Sequence, residues 1–163
     1  MGGDSVSAAP VQAAAASPAR APRRALGWTL LALSLLGFLV AFYLTLVHYR
    51  GTILHCYVVH GCDTVQSSRY ATVFGVPIAL FGTVYFAAIF YGSVALMTTR
   101  SRAASVSYKA LAYLGALAAV PLLLLQAVVL KAFCTYCIAV EVVLVLTWLG
   151  SLWMRTPERT TRT

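Results

Sequence analysis

Charged residues are scarce in this sequence, and their scarcity excludes an ordinary soluble domain. Only 10% of the 163 residues are charged, 61% are hydrophobic, and the mean hydropathy is +0.84. A soluble fold of this size cannot bury so much apolar surface. Four runs are long enough to cross about 30 Å of hydrocarbon at about 1.5 Å per residue. They are residues 26–47, 76–97, 110–130 and 132–154, and Glu141 is the one charged residue within them.

An all-α integral membrane protein follows from these runs. Only helices satisfy their own backbone groups in lipid, so we predict a four-transmembrane-helix bundle over residues 26–154. Residues 1–25 lack apolar periodicity and, like residues 155–163, are predicted to be a cytoplasmic tail, the first of them disordered. No small-x-small cleavage site follows the first run, so we expect that run to be retained. The long interval 48–75 is predicted to cap the bundle from outside, with a partly amphipathic segment.

The basic residues, which give a net charge of +8, lie in the segments that flank and connect the predicted spans. This distribution favours contact with lipid headgroups over binding of nucleic acid. One side holds Arg20, Arg23, Arg24, Arg100, Arg102, Lys109, Arg155, Arg159 and Arg162. The other side holds only Arg50, Arg69 and Lys131. The positive-inside rule therefore predicts both termini in the cytoplasm and the cysteines on the outer face of the plasma (bacterial inner) membrane, with no nucleic-acid partner. Disulfides form and persist in that compartment.

Four cysteines are the residues that suggest chemistry, and they form two pairs. Cys56 and Cys62 lie in the outer interval, and Cys134 and Cys137 open the fourth run. Cysteines three residues apart on a helix can close a disulfide or attack one. The positive end of a helix dipole near Cys134 favours a thiolate. A soluble dithiol partner cannot enter the membrane, so the outer pair would relay electrons to the inner pair.

Other interpretations of these residues stay open at this stage. Both pairs are compatible with static disulfides in a non-enzymatic membrane scaffold. Four cysteines also match a zinc site by number, although the five-residue spacing of the first pair is poor for it. Glu141 shares a helix face with both inner cysteines. It could carry protons to a redox ring, or pair with Lys131 or a loop donor as a satisfied polar group.

A set of motifs that covers nearly all of residues 26–154 carries a resemblance to a known family. The motifs are Cys56-x5-Cys62, Ser68-Arg69, Phe74-Gly75-Val76-Pro77, Phe81-Gly82 and Cys134-x-x-Cys137. With these, the chain resembles bacterial members of the vitamin K epoxide reductase family. The combination of both cysteine pairs with Ser68 is the specific part of the match.

The resemblance implies a thiol:quinone oxidoreductase that reoxidises a thioredoxin-like partner and supports disulfide formation in exported proteins. It implies that Cys56 meets the partner, Cys62 exchanges with Cys134, Cys137 faces the quinone (ubiquinone or menaquinone), and Ser68 donates a hydrogen bond to the quinone carbonyl. Glu141 and Ile78 depart from the animal members, which have a tyrosine and an asparagine there, so quinone reduction is the activity we assign. No thioredoxin-like domain follows residue 154, so the partner is expected to be a separate extracytoplasmic protein.

Overall fold

The computed structural model describes residues 21–52, 61–99 and 101–154 of the chain. In them lie the helices α1 (Ala21–Arg50), α2 (Cys62–Gln66), α3 (Ile78–Thr98), α4 (Arg102–Leu124) and α5 (Thr135–Leu152). A 3-10 turn (Arg69–Ala71), the strands β1 (Thr72–Val73) and β2 (Val76–Pro77), and a π-helical segment (Leu125–Leu130) complete the described elements. The predicted tail residues 1–20 and 155–163, and loop residues 53–60 with Cys56, lie outside the described residues.

The predicted four-helix membrane bundle is confirmed. The described residues contain four helices long and apolar enough to cross a bilayer: Arg24–Arg50, Ile78–Thr98, Arg102–Leu130 and Thr135–Leu152. Each outward face carries large exposed apolar side chains, as a lipid-facing surface requires. The protein is therefore a multi-pass membrane protein.

The helices differ from the predicted spans at several ends, most of all at α4, which begins at Arg102 rather than at residue 110. α1 begins at Ala21, five residues before the predicted start of the first span. Pro77 is the N-cap of α3 rather than a residue of its first turn, since it keeps an extended backbone at φ −60°, ψ 135°. The fourth helix begins at Thr135 instead of residue 132, because Lys131 adopts a left-handed conformation and Cys134 is extended. These differences leave the bundle unchanged and place Cys134 just before α5.

Packing among the four long helices is sequential around the bundle. α1 contacts α3 and α5, and α4 contacts α5 and α3. Small residues permit the close approaches: a Cβ added at Gly37 of α1 would overlap the Phe86 ring of α3. Such contacts matter in a membrane, where dispersion rather than water exclusion drives helix association.

The bundle interior is built in three buried clusters along its length. The middle cluster holds Ala41, Phe86, Ala119, Val143 and Leu144. The cluster nearest the termini of the chain holds Leu30, Ile89, Tyr108 and Ala112. The third, at the end where the α1–α3 connection and the α4–α5 turn meet, holds Leu44, Val47, Cys62 and Cys134. Buried cysteines from two separate connections therefore share one end of the bundle, and we call this group the cysteine cluster.

Between α2 and α3 the chain forms a small hairpin. Thr72 pairs with Pro77 and Val73 with Val76 in antiparallel register. The two turn residues, Phe74 and Gly75, both have positive φ values, 52° and 80°. Two left-handed residues in a two-residue loop match the twist of a short hairpin. The hairpin returns the chain from α2 to the first turn of α3.

Candidate active site

The turn between α4 and α5 is shaped by Gln126. The π-helical segment Leu125–Leu130 widens the end of α4, and Lys131 then reverses the chain with φ 49°. The main-chain carbonyl of Gln126 accepts the N–H groups of Lys131 and, at 3.2 Å, Ala132. A π segment inserts extra backbone into a helix and is often found at functional sites. Here it ends α4 so that the chain enters α5 through Cys134.

Cys134 is the N-cap residue of α5 and is fully buried. Its sulfur accepts the main-chain N–H of Cys137 at 3.4 Å. These contacts lower the pKa of the Cys134 thiol to about 7, chiefly through the side-chain hydrogen bond from Cys137 and also through the N–H groups of Cys137 and Tyr136. Burial and the nearby Glu141 act in the opposite direction. The N-terminus of α5 thus favours a thiolate at Cys134, as the helix dipole argument predicts.

The redox states of three cysteines differ between the two segments. Cys134 and Cys137 are free thiols. Cys62 is disulfide-bonded and is 1% exposed at the start of α2. Cys56 falls outside the described residues.

Gly61 permits a close contact between the segment of Cys62 and the segment of Cys134. A Cβ at Gly61 would lie 2.7 Å from the carbonyl oxygen and 3.0 Å from the nitrogen of Phe133. The backbones of the two segments are therefore in direct contact, one residue before Cys62 and one residue before Cys134. Both cysteines then enter the cysteine cluster. Cys62 and Cys134 therefore lie at one end of the bundle, on two segments that touch.

Glu141 is buried, and its partner is Gln126 rather than Lys131. The Gln126 Nε2 group donates to Glu141 Oε1 at 2.7 Å, and Gln126 Oε1 accepts the main-chain N–H of Cys134 at 3.0 Å. Glu141 Oε2 is buried with no hydrogen-bond partner among the described residues, and Lys131 is exposed. In the sequence, Glu141 is recognised as the one charged residue within the apolar runs. Its contact with Gln126 was not predicted, because that contact depends on the π segment.

Ser68 lies just beyond α2 and is half-buried. Its hydroxyl donates to the carbonyl of Val65 at 2.8 Å, and Val65 packs against the cysteine cluster. The structure therefore places Ser68 on the segment that covers the cysteines, with its proton engaged locally. Among the described residues, no group of three His, Cys, Asp or Glu side chains is arranged to hold a metal ion.

The apolar cavities in the described part of the chain include two between the long helices. One of about 70 Å³ lies between α1 and α5 and is lined by Leu36, Gly37, Val40, Ala139, Val140 and Val143. This volume is below the roughly 150 Å³ of a cavity that holds benzene. The second, of about 450 Å³, runs along α3 and α4 and is lined by Val76, Leu80, Phe81, Val84, Tyr85, Ala88 and Leu111. Only the second has room for a ring or an isoprenoid chain.

The four-helix membrane bundle carries a Cys-x-x-Cys pair at the start of one helix, an arrangement compatible with the class of membrane oxidoreductases that act through cysteines. Comparison with known families agrees with this class: the model of the vitamin K epoxide reductase family matches residues 28–152. The match covers most of the chain, which therefore belongs to this family, as the sequence motifs predicted. A search of curated proteins found none that matches. Family membership identifies the protein as an oxidoreductase.

Proposed function

We propose that this protein is a thiol:quinone oxidoreductase that reoxidises a separate thioredoxin-like partner and supports disulfide formation in exported proteins. The observation that carries the proposal is the position of Cys134. It lies at the N-terminus of α5, where its sulfur accepts a hydrogen bond from the Cys137 N–H. It belongs to the same buried cluster as Cys62. A low-pKa thiol beside a second cysteine-bearing segment is suited to thiol–disulfide exchange.

The proposed electron path runs from the outer pair to the inner pair. The partner dithiol reduces the disulfide of Cys56 and Cys62, and the partner becomes oxidised. The Cys62 thiolate then attacks an oxidised Cys134–Cys137 pair at Cys134, and Cys56 closes the loop disulfide again. In that state the loop pair is oxidised and the inner pair holds two electrons. The inner dithiol finally gives two electrons and two protons to the quinone, which leaves as hydroquinone.

The residues near the inner pair suit a quinone as the electron-accepting substrate. Cys137 lies one turn into α5, where a ring can approach from the bundle. Glu141 Oε2 is a buried polar atom with no partner among the described residues, and in our proposal the protonated carboxyl donates a hydrogen bond from this atom to a quinone oxygen. In our proposal Ser68 donates to the other carbonyl. The apolar groove beside Phe81 and Tyr85 offers a path for the isoprenoid chain.

The membrane orientation proposed from the charges is compatible with this path. The ends of α1 and α3 that flank the outer interval, and the α4–α5 turn, lie together with the cysteines. Arg24, Arg102 and Lys109 belong to the opposite end of the bundle. With the positive-inside rule, the cysteine end faces the outside of the inner (plasma) membrane and both termini lie in the cytoplasm. An exported partner therefore meets the outer pair.

Quinone reduction by purified protein tests the function directly. With dithiothreitol as donor, the wild type should reduce a soluble ubiquinone or menaquinone analogue, and Cys137→Ala should abolish turnover. Thr83→Val is a matched control, since it removes the buried interhelical hydrogen bond to Thr45, 3.1 Å long, without touching a cysteine. It should retain turnover. Folded wild-type protein with no turnover above Cys137→Ala would refute the proposal.

A further inference from the structure

We propose that Gln126 and Glu141 are positioning residues that complete the N-terminal cap of α5 and thereby hold Cys134 in its reactive conformation. The inference rests on the proposed function in one respect only, which is that Cys134 is a reactive thiol. We call the two residues the Gln126–Glu141 clamp. Neither residue needs to touch the partner for this role.

The Cys-x-x-Cys motif occupies the positions of a helix capping box. Cys134 is the N-cap and Cys137 is the third residue of α5. In a capping box, the N-cap side chain accepts the N–H of that third residue, and the third residue's side chain accepts the N–H of the N-cap. The sulfur of Cys134 makes the first of these bonds. A thiol at position 137 is a poor acceptor for the second, so the motif lacks half of its cap.

Gln126 supplies the missing half from the preceding helix. Its side-chain Oε1 accepts the N–H of Cys134 at 3.0 Å in a buried setting. A buried main-chain N–H without an acceptor is destabilising, so this bond stabilises the extended conformation of Cys134. The main-chain carbonyl of the same residue ends α4 by accepting from Lys131 and Ala132. One residue thus fixes both sides of the turn that carries Cys134.

Glu141 sets the orientation of the Gln126 amide. An N–H can only donate, so the Gln126 atom facing Cys134 must be the oxygen, and the NH₂ group must face Glu141. Glu141 Oε1 accepts from that NH₂ group at 2.7 Å. An apolar residue at 141 would leave the buried NH₂ group without an acceptor and would free the amide to turn. The carboxyl is required here as an acceptor, and a neutral amide oxygen can replace it.

Apart from the conformation of the turn, the pKa of Cys134 depends on the groups that face it. From α5 these are Cys137, the main chain of Tyr136, and Glu141. From α2 there is Cys62, whose disulfide does not titrate. α1 contributes only Leu44 and Val47 to the buried part of the cysteine cluster. A change at Gln126, which carries no charge, therefore reaches the Cys134 thiol through the conformation of the turn.

Thiolate absorbance in the ultraviolet tests the clamp on the reduced full-length protein. Each protein is titrated with pH, and the signal of its Cys134→Ala counterpart is subtracted. Gln126→Leu and Glu141→Leu should raise the midpoint above that of the wild type. A rise of the midpoint by one unit from about 7 lowers the Cys134 thiolate fraction at pH 7 from about one half to about one tenth, a loss of about fivefold. Glu141→Gln, which keeps an acceptor for Gln126, should retain the wild-type midpoint or move slightly lower, because the carboxyl acts to raise the Cys134 pKa.

Two outcomes would overturn the clamp. One is a wild-type midpoint in both leucine variants; the other is a midpoint in Glu141→Gln that rises as far as in Glu141→Leu. Thr83→Val is the control for loss of a buried hydrogen bond elsewhere, and its midpoint should not move. If Gln126→Leu does not fold, Glu141→Leu gives the same test with the Cys134 contact residue in place. The titration needs no quinone, so wild-type protein with the expected midpoint but no quinone turnover would refute the proposed function alone.

Discussion

Gly61 and Phe133 lie backbone against backbone, and this contact joins the two cysteine-bearing segments. A Cβ at Gly61 would come within 2.7 Å of the Phe133 carbonyl oxygen. Main-chain atoms cannot rotate away as a side chain can, so only glycine permits this approach. Since Cys62 and Cys134 immediately follow the two residues, the contact sets how closely the two pairs meet.

Gly61→Ala should separate α2 from the α4–α5 turn. The added methyl group overlaps the Phe133 main chain, so we expect exchange between the loop pair and the inner pair to slow by about tenfold or more, in line with the cost of a small misplacement. The rate at which the partner's electrons reach the inner pair, followed by rapid acid quenching and mass mapping, measures this. Reduction of the outer pair by the partner should be unaffected.

Gly82→Ala is the matched control for that substitution. A Cβ at Gly82 would meet only the Ala41 Cβ, at 3.5 Å, which is an ordinary contact. This variant should exchange at the wild-type rate. Equal rates for wild type and Gly61→Ala would show that α2 moves away from the turn during exchange.

The pH dependence of Cys134 follows from its hydrogen bonds. Its pKa is lowered to about 7, so the thiolate dominates above about pH 7 and is lost as the pH falls below it. Because the folded-state pKa is depressed, the stability that this ionisation contributes to the reduced protein also fades as the pH falls through about 7. Exchange with a disulfide probe should therefore rise with pH and level off above about pH 7.

Cys137→Ala should shift that profile to higher pH, because the Cys137 thiol is the main donor that lowers the Cys134 pKa. Cys137→Ser keeps a hydroxyl donor at the same position and should shift it less. Exchange rates of Cys134 with the probe, measured across pH for both variants, decide between them. An unchanged profile in Cys137→Ala would assign the lowered pKa to the helix terminus alone.

A trapped disulfide is expected in the same alanine variant. The Cys134 thiolate can attack the loop disulfide at Cys62 and release the Cys56 thiolate. Without Cys137 the inner pair cannot form its own disulfide, so the Cys62–Cys134 bond is the one that oxidises Cys134, and only Cys56 can resolve it. Non-reducing mass mapping of Cys137→Ala should find Cys62 linked to Cys134. Cys56→Ala should instead block the partner while small dithiols still reduce the enzyme. The relay is wrong if neither variant alters the disulfide pattern of the wild type.

The bundle was predictable because its signal is local. Runs of apolar residues with a single charge, Glu141, suffice to identify membrane helices, and the cysteine spacing points to the chemistry. The turn was not predictable, because it depends on how one helix ends relative to the next. A continuous apolar sequence gives no sign that α4 becomes a π helix before Lys131. Hence Glu141 was recognised as the one charged residue in the apolar runs, and its connection to Cys134 through Gln126 was not predicted.

Pro77 and the start of α5 illustrate the same limit. Hydropathy places the end of a run within a few residues, while the cap depends on backbone angles. By hydropathy Cys134 belongs to an apolar run, yet its extended conformation makes it the N-cap residue just before the helix. Cys134 does lie at a helix start, as predicted. Its extended conformation as the N-cap residue could be seen only in the structure.

Ser68→Ala tests the proposed quinone contact. The Ser68 proton is already donated to Val65 at 2.8 Å, and a quinone carbonyl is only an acceptor, so the hydroxyl must turn from one to the other. Exchange of one hydrogen bond for another is worth about 1 kcal/mol or less, so KM for the quinone should rise about threefold to fivefold with kcat little changed. Ser67→Ala is the matched control, since the Ser67 hydroxyl makes the same kind of bond to Asp63 at 2.7 Å on the exposed side. If both variants change KM equally, the effect belongs to the end of α2 and not to a contact between Ser68 and the quinone.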